Sequence, residues 1–467
     1  MNDLTYKTFI ITLVATLSPI LMSLPIDIDN IAFSTPEAVE MSSDRLFQLD
    51  SLIEKYIVDK KIQGAVVAVS RYGELVYFEA HGNSDRSNGI EMQRDSMFQM
   101  WSSTKPVLGV ATMIAMERGL FKPSDSVHKY LPAFEEIQVA VLEEPKNRNI
   151  SPAYVWAPLK NSDAGFFTRL FDRIWFSFTD GFIRHVPAHR TVPVDRPITI
   201  HDLLTHTAGL GTYGLGFAVS KWGAEISNKS VNQSHSIAYE TLESLINKVA
   251  HGPLDFQPGT RWMYSPFIGL DVVARIIELT SGQPFNEFVQ KNIFEPLDMQ
   301  DTYWNMPPTD KLSRVVVISD MAKDKKGKSK SVPTKSSYYS GSVGLISTAR
   351  DFLHFEQMLL NKGVFRGHRL ISADSVDLMS ANHVGDLFSS AGKGKTGGEG
   401  FGYAVSVTLD PKAALIPKSK RAFGWAGAAG TISWNEPQTG LAVVIMVQQP
   451  TKELPIDISK TINSSLL

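Results

Sequence analysis

The sequence contains no cysteine in its 467 residues. This absence excludes disulfide scaffolds, cysteine-ligated zinc sites, iron–sulfur centres and thiol nucleophiles. The sequence also lacks an excess of either charge, because it has 46 lysines and arginines and 48 aspartates and glutamates. A general nucleic-acid binder carries a basic excess, so we expect no nucleic-acid partner. Hydrophobic residues make up 43% of the chain, which suffices for a sizeable folded core.

Signatures of several enzyme classes are absent as well. There is no Gly-x-Ser-x-Gly, which excludes the nucleophile elbow of an α/β-hydrolase. There is no His-Glu-x-x-His, and His201 and His206 are five residues apart and off one helical face, so no zinc site is predicted. We expect no metal and no cofactor, and we expect His206 to pack or cap within its turn.

One long apolar run stands near the N-terminus, FIITLVATLSPILMSL at residues 9–24. It is short for a membrane-spanning helix and contains Pro19. We interpret residues 1–34 as a signal peptide or leader, with the small residues Ala32 and Ser34 at a cleavage site. The protein is then expected to be exported, to the periplasm or the medium. The alternative is that the run anchors the chain in a membrane.

Strand patterns lie at both ends of the chain, with helical patterns between them. A hairpin is predicted at residues 65–82, with its turn at Tyr72 and Gly73, and two further strands are predicted at 431–434 and 441–447. Apolar residues at helical spacing predict helices at residues 43–61, 104–118, 200–204, 270–280 and 349–360, and from 456 onwards.

This order of elements predicts the fold class. We expect an α+β fold in which an antiparallel sheet, built from both chain ends, is flanked by helices and carries an inserted, mainly helical lobe. The folded domain is predicted to cover residues 43–462, with the sheet lobe at 43–100 and 337–462 and the helical lobe at 101–336.

The strongest chemical signal is FQMWSSTKP at residues 98–106, which opens a predicted helix. Ser102 and Lys105 are three residues apart, so on a helix they share a face and the lysine can reach the serine hydroxyl. A serine hydroxyl becomes a good nucleophile when a neighbouring base takes its proton. A second Ser-x-x-Lys begins at Ser390, but it lies in glycine-rich sequence and we interpret it as chance.

Further motifs follow in a fixed order. They are PITIHDLLTHTAGL at 197–210, QPGTRWMYSP at 257–266, FEPLDM at 294–299, GSVGLISTARD at 341–351 and FGWAGAAGT at 423–431. Together with the Ser102 motif they resemble the serine β-lactamase and penicillin-binding-protein superfamily, specifically the class C-like branch that contains family VIII carboxylesterases. The resemblance covers about residues 46–449 and implies the β-lactamase/transpeptidase-like fold.

The resemblance also implies residue roles. Ser102 would be the acyl-accepting nucleophile, and Lys105 and Tyr264 would share the proton transfers. The backbone N–H groups of Ser102 and Ala428 would form the oxyanion hole. The intact set of Ser102, Lys105 and Tyr264 argues against the non-enzyme alternative, a catalytically idle relative that serves as a binding or scaffold protein.

Two departures from the family pattern bear on the substrate. Trp425 and Gly427 lie on the predicted substrate-binding strand, and Trp425 stands where β-lactamases carry a lysine. Pro266 stands where an asparagine is expected, so we expect that it cannot hydrogen-bond a substrate amide or orient Lys105. Both changes favour a neutral ester over an anionic peptide or lactam. A literal Lys-Thr-Gly at residues 395–397 lies in a glycine-rich loop and is not expected to be this strand.

These observations predict a serine carboxylesterase that acts on a small-molecule ester through an acyl-enzyme. An acyltransferase would use the same residues with an alcohol in place of water, and weak hydrolysis of β-lactams or D-amino-acid peptides is a further alternative. The sequence makes no prediction of the oligomeric state.

Residues 135–195 match none of the family motifs and are predicted to be an insertion. Within it, Phe171, Trp175 and Phe178 belong to an aromatic stripe at helical spacing. We treat these three as a candidate lid or acyl-chain wall beside Ser102. The alternatives are packing on the helical lobe and a peripheral contact with a membrane surface.

Overall fold

A computed structural model describes residues 33–143, 188–211, 214–220, 222–223, 241–318, 335–390 and 397–467. Its strands are β1 (Gly64–Arg71), β2 (Glu74–Asp85), β3 (Ile90–Glu91), β4 (Phe98–Gln99), β5 (Gln138–Leu142), β6 (His189–Pro193), β7 (Tyr303–Trp304), β8 (Leu345–Ser347), β9 (Val364–Phe365), β10 (His368–Arg369), β11 (Glu399–Phe401), β12 (Ser406–Thr408), β13 (Phe423–Ala426), β14 (Ile432–Glu436) and β15 (Leu441–Met446).

The α-helices of the described residues lie mostly between the two groups of main-sheet strands. They are Ser43–Leu46, Gln48–Val58, Lys105–Glu117, Ile200–Leu204, Leu215–Val219, Leu242–Ala250, Ile268–Ser281, Phe285–Val289, Ala349–Leu360, Ala373–Met379, Leu387–Ser390 and Glu453–Ser465. Short 3₁₀ turns occur at Pro36–Val39, Trp101–Thr104, Val127–Lys129, Pro132–Phe134 and Thr309–Arg314, and a π-helical turn occurs at Gln290–Phe294.

The main sheet joins the two ends of the chain. Its eight strands have the order β11-β12-β13-β14-β15-β1-β2-β3, and the pairings are antiparallel. The central pair is β1 with β15, in a register that sets Val67 opposite Ile445. Both strands are buried along their whole length and are apolar apart from Ser70 and Arg71 at the end of β1, because helices cover both faces of the sheet. The predicted α+β fold is confirmed.

Helices from both chain ends cover one face of this sheet. Leu49 and Ile53 of the helix Gln48–Val58 and Ile458 of the helix Glu453–Ser465 are fully buried against Val67 and its neighbours. The helix Ala349–Leu360 packs on β1, β14 and β15 from the other side. Residues Phe33–Leu467 form one compact unit, and the lobe boundaries inside it stay a prediction.

The predicted hairpin is present as β1 and β2. Tyr72 and Gly73 form its turn with φ of 52° and 86°, the left-handed conformation that a two-residue hairpin requires. The predicted helix at 43–61 is two helices that meet at Phe47, and the C-terminal helix begins at Glu453 rather than Ile456.

The two ends of the predicted insertion pair with each other. β5 and β6 form an antiparallel ribbon in which Val139 is opposite Val192. Residues 144–187, which include Phe171, Trp175 and Phe178, lie outside the described residues, so the candidate lid stays a prediction. Residues 1–32 of the predicted leader also lie outside them. Within the part of the chain that the structure describes, no helix is long and apolar enough to cross a bilayer.

Candidate active site

Ser102 lies at a sharp bend between a strand and a buried helix. The chain leaves β4, makes the 3₁₀ turn Trp101–Thr104 and continues directly into the helix Lys105–Glu117. Trp101 has φ of 48°, a left-handed conformation that is uncommon for a residue other than glycine. Such strained positions cluster at functional sites. The bend leaves 8% of Ser102 exposed at the start of the helix.

Lys105 is completely buried and its Nζ has three oxygen neighbours. It lies 3.2 Å from Ser102 Oγ, 2.8 Å from the carbonyl oxygen of Pro266 and 3.0 Å from that of Ser342. A neutral amine can give its two hydrogens to the carbonyls and direct its lone pair at the serine hydroxyl, whereas an ammonium donates to all three. The expectation that Pro266 cannot orient Lys105 is therefore wrong, because the proline holds the lysine through its backbone oxygen.

Tyr264 completes the group around the serine. Its hydroxyl lies 2.7 Å from Ser102 Oγ, and Lys105 Nζ lies 5.1 Å from the centre of its ring. The indole Nε1–H of Trp425 donates to the Tyr264 oxygen at 3.4 Å. Residues that are far apart in sequence thus meet at one serine hydroxyl.

His206 packs against the ring of Tyr264. Its ring lies 5.0 Å from the Tyr264 ring in an edge-to-face arrangement. Its Nδ1 accepts the N–H of Ser265 at 3.4 Å, and its carbonyl oxygen accepts the N–H of Met263 at 3.0 Å. The histidine is buried, and it packs against the segment that carries the tyrosine rather than only within its own turn.

The turn after β13 lies against the bend that carries Ser102. The Thr431 hydroxyl donates to the carbonyl of Met100 at 3.1 Å and lies 3.0 Å from the hydroxyl of Ser103. Gly427 donates its N–H to the Thr431 carbonyl, and a Cβ atom at Gly427 would overlap the Met100 oxygen. Only glycine allows this approach, and the role of the neighbouring Ala428 N–H as an oxyanion donor stays a prediction.

Aromatic side chains line one side of the site, and we call them the aromatic wall. Trp425 lies 5.6 Å from Tyr264 and 5.2 Å from Phe401, and Trp262 lies 4.7 Å from Phe388, measured between ring centres. These five rings are the wall. Sequence reasoning identified Trp425 and Tyr264 and missed the others, although Trp262 is only two residues from Tyr264.

Asp271 is a second residue that the sequence analysis missed. It is fully buried in the first turn of the helix Ile268–Ser281 and accepts hydrogen bonds from Tyr338, Ser340 and Ser342. Burial raises the pKa of its carboxyl to about 6, against the opposing effect of these donors and of the Lys105 charge. A lone acid in the apolar run IGLDVVARII was the available signal.

The second Ser-x-x-Lys, which begins at Ser390, and the literal Lys-Thr-Gly at residues 395–397 cannot be placed at this site. Ser390 ends the short helix Leu387–Ser390, and residues 391–396, which complete the second Ser-x-x-Lys and begin the literal Lys-Thr-Gly, lie outside the described residues. Trp425 does lie on a main-sheet strand, since β13 pairs with β12 and β14.

Comparison with known proteins finds two relatives that are named as esterases and a solved structure with the same fold. Esterase EstB from Burkholderia gladioli is 25% identical over 417 residues, which cover 85% of this chain and 89% of EstB. Lovastatin esterase from Penicillium rubens is 26% identical over 347 residues, which cover 72% of this chain and 73% of that protein. The structure of EstCE1, described as a hydrolase with promiscuous acyltransferase activity, superposes with a TM-score of 0.64 at 20% identity and covers 90% of this chain and 98% of EstCE1.

A family model described as Beta-lactamase matches residues 49–459, nearly the whole chain. The superposition on EstCE1 shows the same fold, with the sheet built from both chain ends. The resemblance found in the sequence motifs is thereby confirmed, and the chain belongs to the Beta-lactamase family, with the β-lactamase/transpeptidase-like fold.

Proposed function

We propose that the protein is a serine hydrolase that cleaves carboxylic esters through an acyl-enzyme on Ser102. The observation that carries the proposal is that two proton-transfer groups meet at Ser102 Oγ, with Lys105 Nζ at 3.2 Å and the Tyr264 hydroxyl at 2.7 Å. A nucleophilic serine needs a neighbouring group that takes its proton and later returns it to the leaving group, and this pair is placed to do both.

The reaction then has two halves. Ser102 Oγ attacks the ester carbonyl carbon while its proton passes to the Lys105 and Tyr264 pair, and the oxyanion is stabilised by the N–H groups of Ser102 and Ala428. The tetrahedral intermediate collapses, and the pair protonates the departing alcohol. A water molecule then gives its proton to the same pair and attacks the acyl-serine, which releases the carboxylic acid and restores Ser102.

Lys105 is well placed to act as the base in its neutral form. The carbonyls of Pro266 and Ser342 accept both amine hydrogens, so the lone pair is directed at the serine hydroxyl. Tyr264 then relays protons between the serine and the substrate, and the Trp425 N–H stabilises negative charge on its oxygen.

Neutral esters with an apolar group suit this site better than anionic substrates. The half-buried rings of Trp262, Tyr264 and Trp425 offer ring faces for stacking, and the buried Phe388 and Phe401 pack against Trp262 and Trp425. Trp425 has an N–H donor but no positive charge to bind a substrate carboxylate. The names of EstB and lovastatin esterase, both esterases, support the same substrate class.

Acyl transfer is the second candidate. The first half of the reaction is unchanged, and an alcohol that lies on the aromatic wall replaces water in the second half. EstCE1, described as a hydrolase with promiscuous acyltransferase activity, supports this alternative. Hydrolysis of β-lactams or D-amino-acid peptides is expected to be weak, because the lysine of the substrate-binding strand is replaced.

Intact-protein mass spectrometry tests the proposal. The protein is treated with a fluorophosphonate and separately with p-nitrophenyl acetate, p-nitrophenyl butyrate and a penicillin, and the modified peptide is then sequenced. One adduct at Ser102 is expected, and the variant Ser102→Ala should carry none. Ester hydrolysis without an adduct, or an equal adduct on the variant, would contradict the assignment. Adding 1-butanol and measuring butyl esters separates transfer from hydrolysis.

Three expectations from the sequence stay predictions alongside this proposal. They are export of the chain, the lid formed by Phe171, Trp175 and Phe178, and the alternative of a peripheral membrane contact. Absence of any acyl adduct in the experiment above would favour the remaining alternative, a binding or scaffold protein.

A further inference from the structure

The two carbonyls that hold Lys105 come from separate segments of the chain. Pro266 precedes the helix Ile268–Ser281, and Ser342 belongs to the segment that leads into β8. A lysine side chain is long and flexible, so its position depends on how firmly these two carbonyls are held relative to each other.

Asp271 joins the two segments. It lies on the helix, and the three donors to its carboxylate all come from the other segment: the Tyr338 hydroxyl at 2.5 Å, the Ser340 hydroxyl at 2.8 Å and the Ser342 N–H at 3.0 Å. Ser342 is therefore bonded to Asp271 through its N–H and to Lys105 through its carbonyl oxygen. The Ser342 hydroxyl also donates to the Phe267 carbonyl, which ties the segments together a second time.

The same arrangement places a buried carboxyl group close to the buried lysine. Asp271 and Lys105 are both fully buried, and the lysine charge lowers the pKa of the Asp271 carboxyl against the larger effect of burial. None of the three hydrogen-bond partners of Lys105 is a carboxylate. Asp271 acts on the lysine through Ser342 and through its charge rather than by direct contact.

We infer, on the basis of the ester hydrolysis proposed above, that Asp271 is a positioning residue for the reaction. It fixes the carbonyl of Ser342 relative to that of Pro266, so that Lys105 Nζ is held against Ser102 Oγ, and its negative charge stabilises the ammonium that forms when Lys105 takes the serine proton. The residue touches neither the substrate nor the nucleophile. Its loss should slow the chemical step and leave substrate binding almost unchanged.

The variant Asp271→Asn tests this inference, because it keeps the size of the side chain and removes its charge. We expect the second-order rate of Ser102 labelling by a fluorophosphonate to fall about 10- to 100-fold, since small displacements of a reacting group cost rates of this order. For p-nitrophenyl acetate, kcat should fall in parallel while KM changes less than about threefold, the pattern of a group that acts only in the transition state.

Asp351→Asn is the matched control. Asp351 is also a buried carboxylate, and it accepts the N–H of Asp301 at 2.7 Å and the hydroxyl of Thr302 at 2.9 Å, but it has no bond to the segments that hold Lys105. A purely structural carboxylate lowers Tm and leaves the labelling rate of the folded protein unchanged. We expect that result for Asp351→Asn and not for Asp271→Asn.

A milder variant keeps the test decisive if Asp271→Asn does not fold. Ser340→Ala removes one donor to Asp271 and also an acceptor for the Ser342 N–H, and we expect about a threefold loss of labelling rate from this smaller displacement. If the wild-type protein labels at Ser102 and a folded variant labels at the same rate, the role of Asp271 is overturned and the proposed function is not. Wild-type protein that does not label at Ser102 overturns the proposed function, and this role with it.

Discussion

The indole N–H of Trp425 donates to the phenolic oxygen of Tyr264 at 3.4 Å, and that oxygen lies 2.7 Å from the hydroxyl of Ser102. The strand position that carries a lysine in β-lactamases is therefore connected here to the tyrosine that transfers the proton in the proposed mechanism. Trp425 has two roles in the proposed mechanism, because its ring belongs to the aromatic wall and its N–H contacts the tyrosine.

Trp425→Phe separates these two roles. Phenylalanine keeps an aromatic ring and loses the N–H, so stacking of a substrate should persist while negative charge on Tyr264 loses a donor. We expect kcat for p-nitrophenyl esters to fall about 10-fold, the effect of one hydrogen bond of roughly 1.5 kcal/mol. KM should change less than about twofold, since binding of the ester is retained. A large rise in KM at constant kcat would show that the ring alone matters.

Trp425→Lys tests the substrate class. Wild-type protein should have a far higher kcat/KM for p-nitrophenyl acetate than for a penicillin, because the site lacks a cation for the penicillin carboxylate. The variant should shift the ratio of the two kcat/KM values toward the penicillin by at least about 10-fold, the value of one charge-assisted hydrogen bond. A wild-type preference for the penicillin would contradict the inference from Trp425.

Removal of any of the three groups around the serine hydroxyl should have a similar effect. Ser102→Ala, Lys105→Ala and Tyr264→Phe should each lower kcat/KM for p-nitrophenyl acetate by at least about 10³-fold, since residues that act as a unit lose most of their effect together. Circular dichroism and Tm confirm that each variant is folded. Ser390→Ala, in the second Ser-x-x-Lys, is the control and should keep full activity. Unchanged hydrolysis by Ser102→Ala would contradict the nucleophile assignment.

The sequence predicted the residues around the Ser102 hydroxyl better than the groups that hold those residues in place. Ser102 and Lys105 are local partners at helical spacing, and Tyr264 has a recognisable flanking sequence, so motifs were enough to name all three. One group that holds Lys105 is the backbone carbonyl of Pro266, and every residue has a backbone carbonyl. The proline side chain therefore suggested that this contact is lost, whereas the structure has a hydrogen bond of 2.8 Å.

Long-range contacts explain the other omissions. Asp271 and Ser342 are 71 residues apart and Trp262 and Phe388 meet only in the folded chain, so no local spacing indicates either pair. The fold was easier to predict, because β1 and β15 are mostly apolar runs whose hairpin turns are visible in the sequence. The break at Phe47 has no signal of its own in the sequence, since the apolar spacing continues through it.

Gly427→Ala should impair catalysis without removing any catalytic side chain. A Cβ atom would overlap the Met100 carbonyl and the Thr431 hydroxyl, so the turn that carries Ala428 must move away from Ser102. We expect kcat to fall about 10²-fold, the cost of losing one oxyanion donor. Gly64→Ala is the control, because its Cβ would meet the backbone of His81 at 2.6 Å in the sheet. The control should lower Tm and leave kcat of the folded protein unchanged.

The last prediction concerns Glu356, a carboxyl buried between a helix and the main sheet. The helix Ala349–Leu360 directs it at β14, where it accepts hydrogen bonds from the Ser433 hydroxyl at 2.5 Å and from the Asn435 amide. Burial raises its pKa from 4.5 to about 8, against the smaller effect of these two donors. Between these two values Glu356 stays protonated in the folded protein and is ionised in the unfolded chain, so unfolding releases a proton.

Stability should therefore fall as pH rises from about 4.5 to about 8, by up to about 1.4 kcal/mol per pH unit from this residue. Glu356→Gln removes that contribution and fits the site, because its carbonyl can accept from Asn435 while its amide donates to Ser433. We expect urea unfolding of the variant to give a free energy that depends less on pH than that of the wild type, with the largest gain in stability near pH 8. Glu54→Gln, at an exposed position, should follow the wild-type curve. Parallel curves for Glu356→Gln and the wild type would show that the buried carboxyl does not govern this pH dependence.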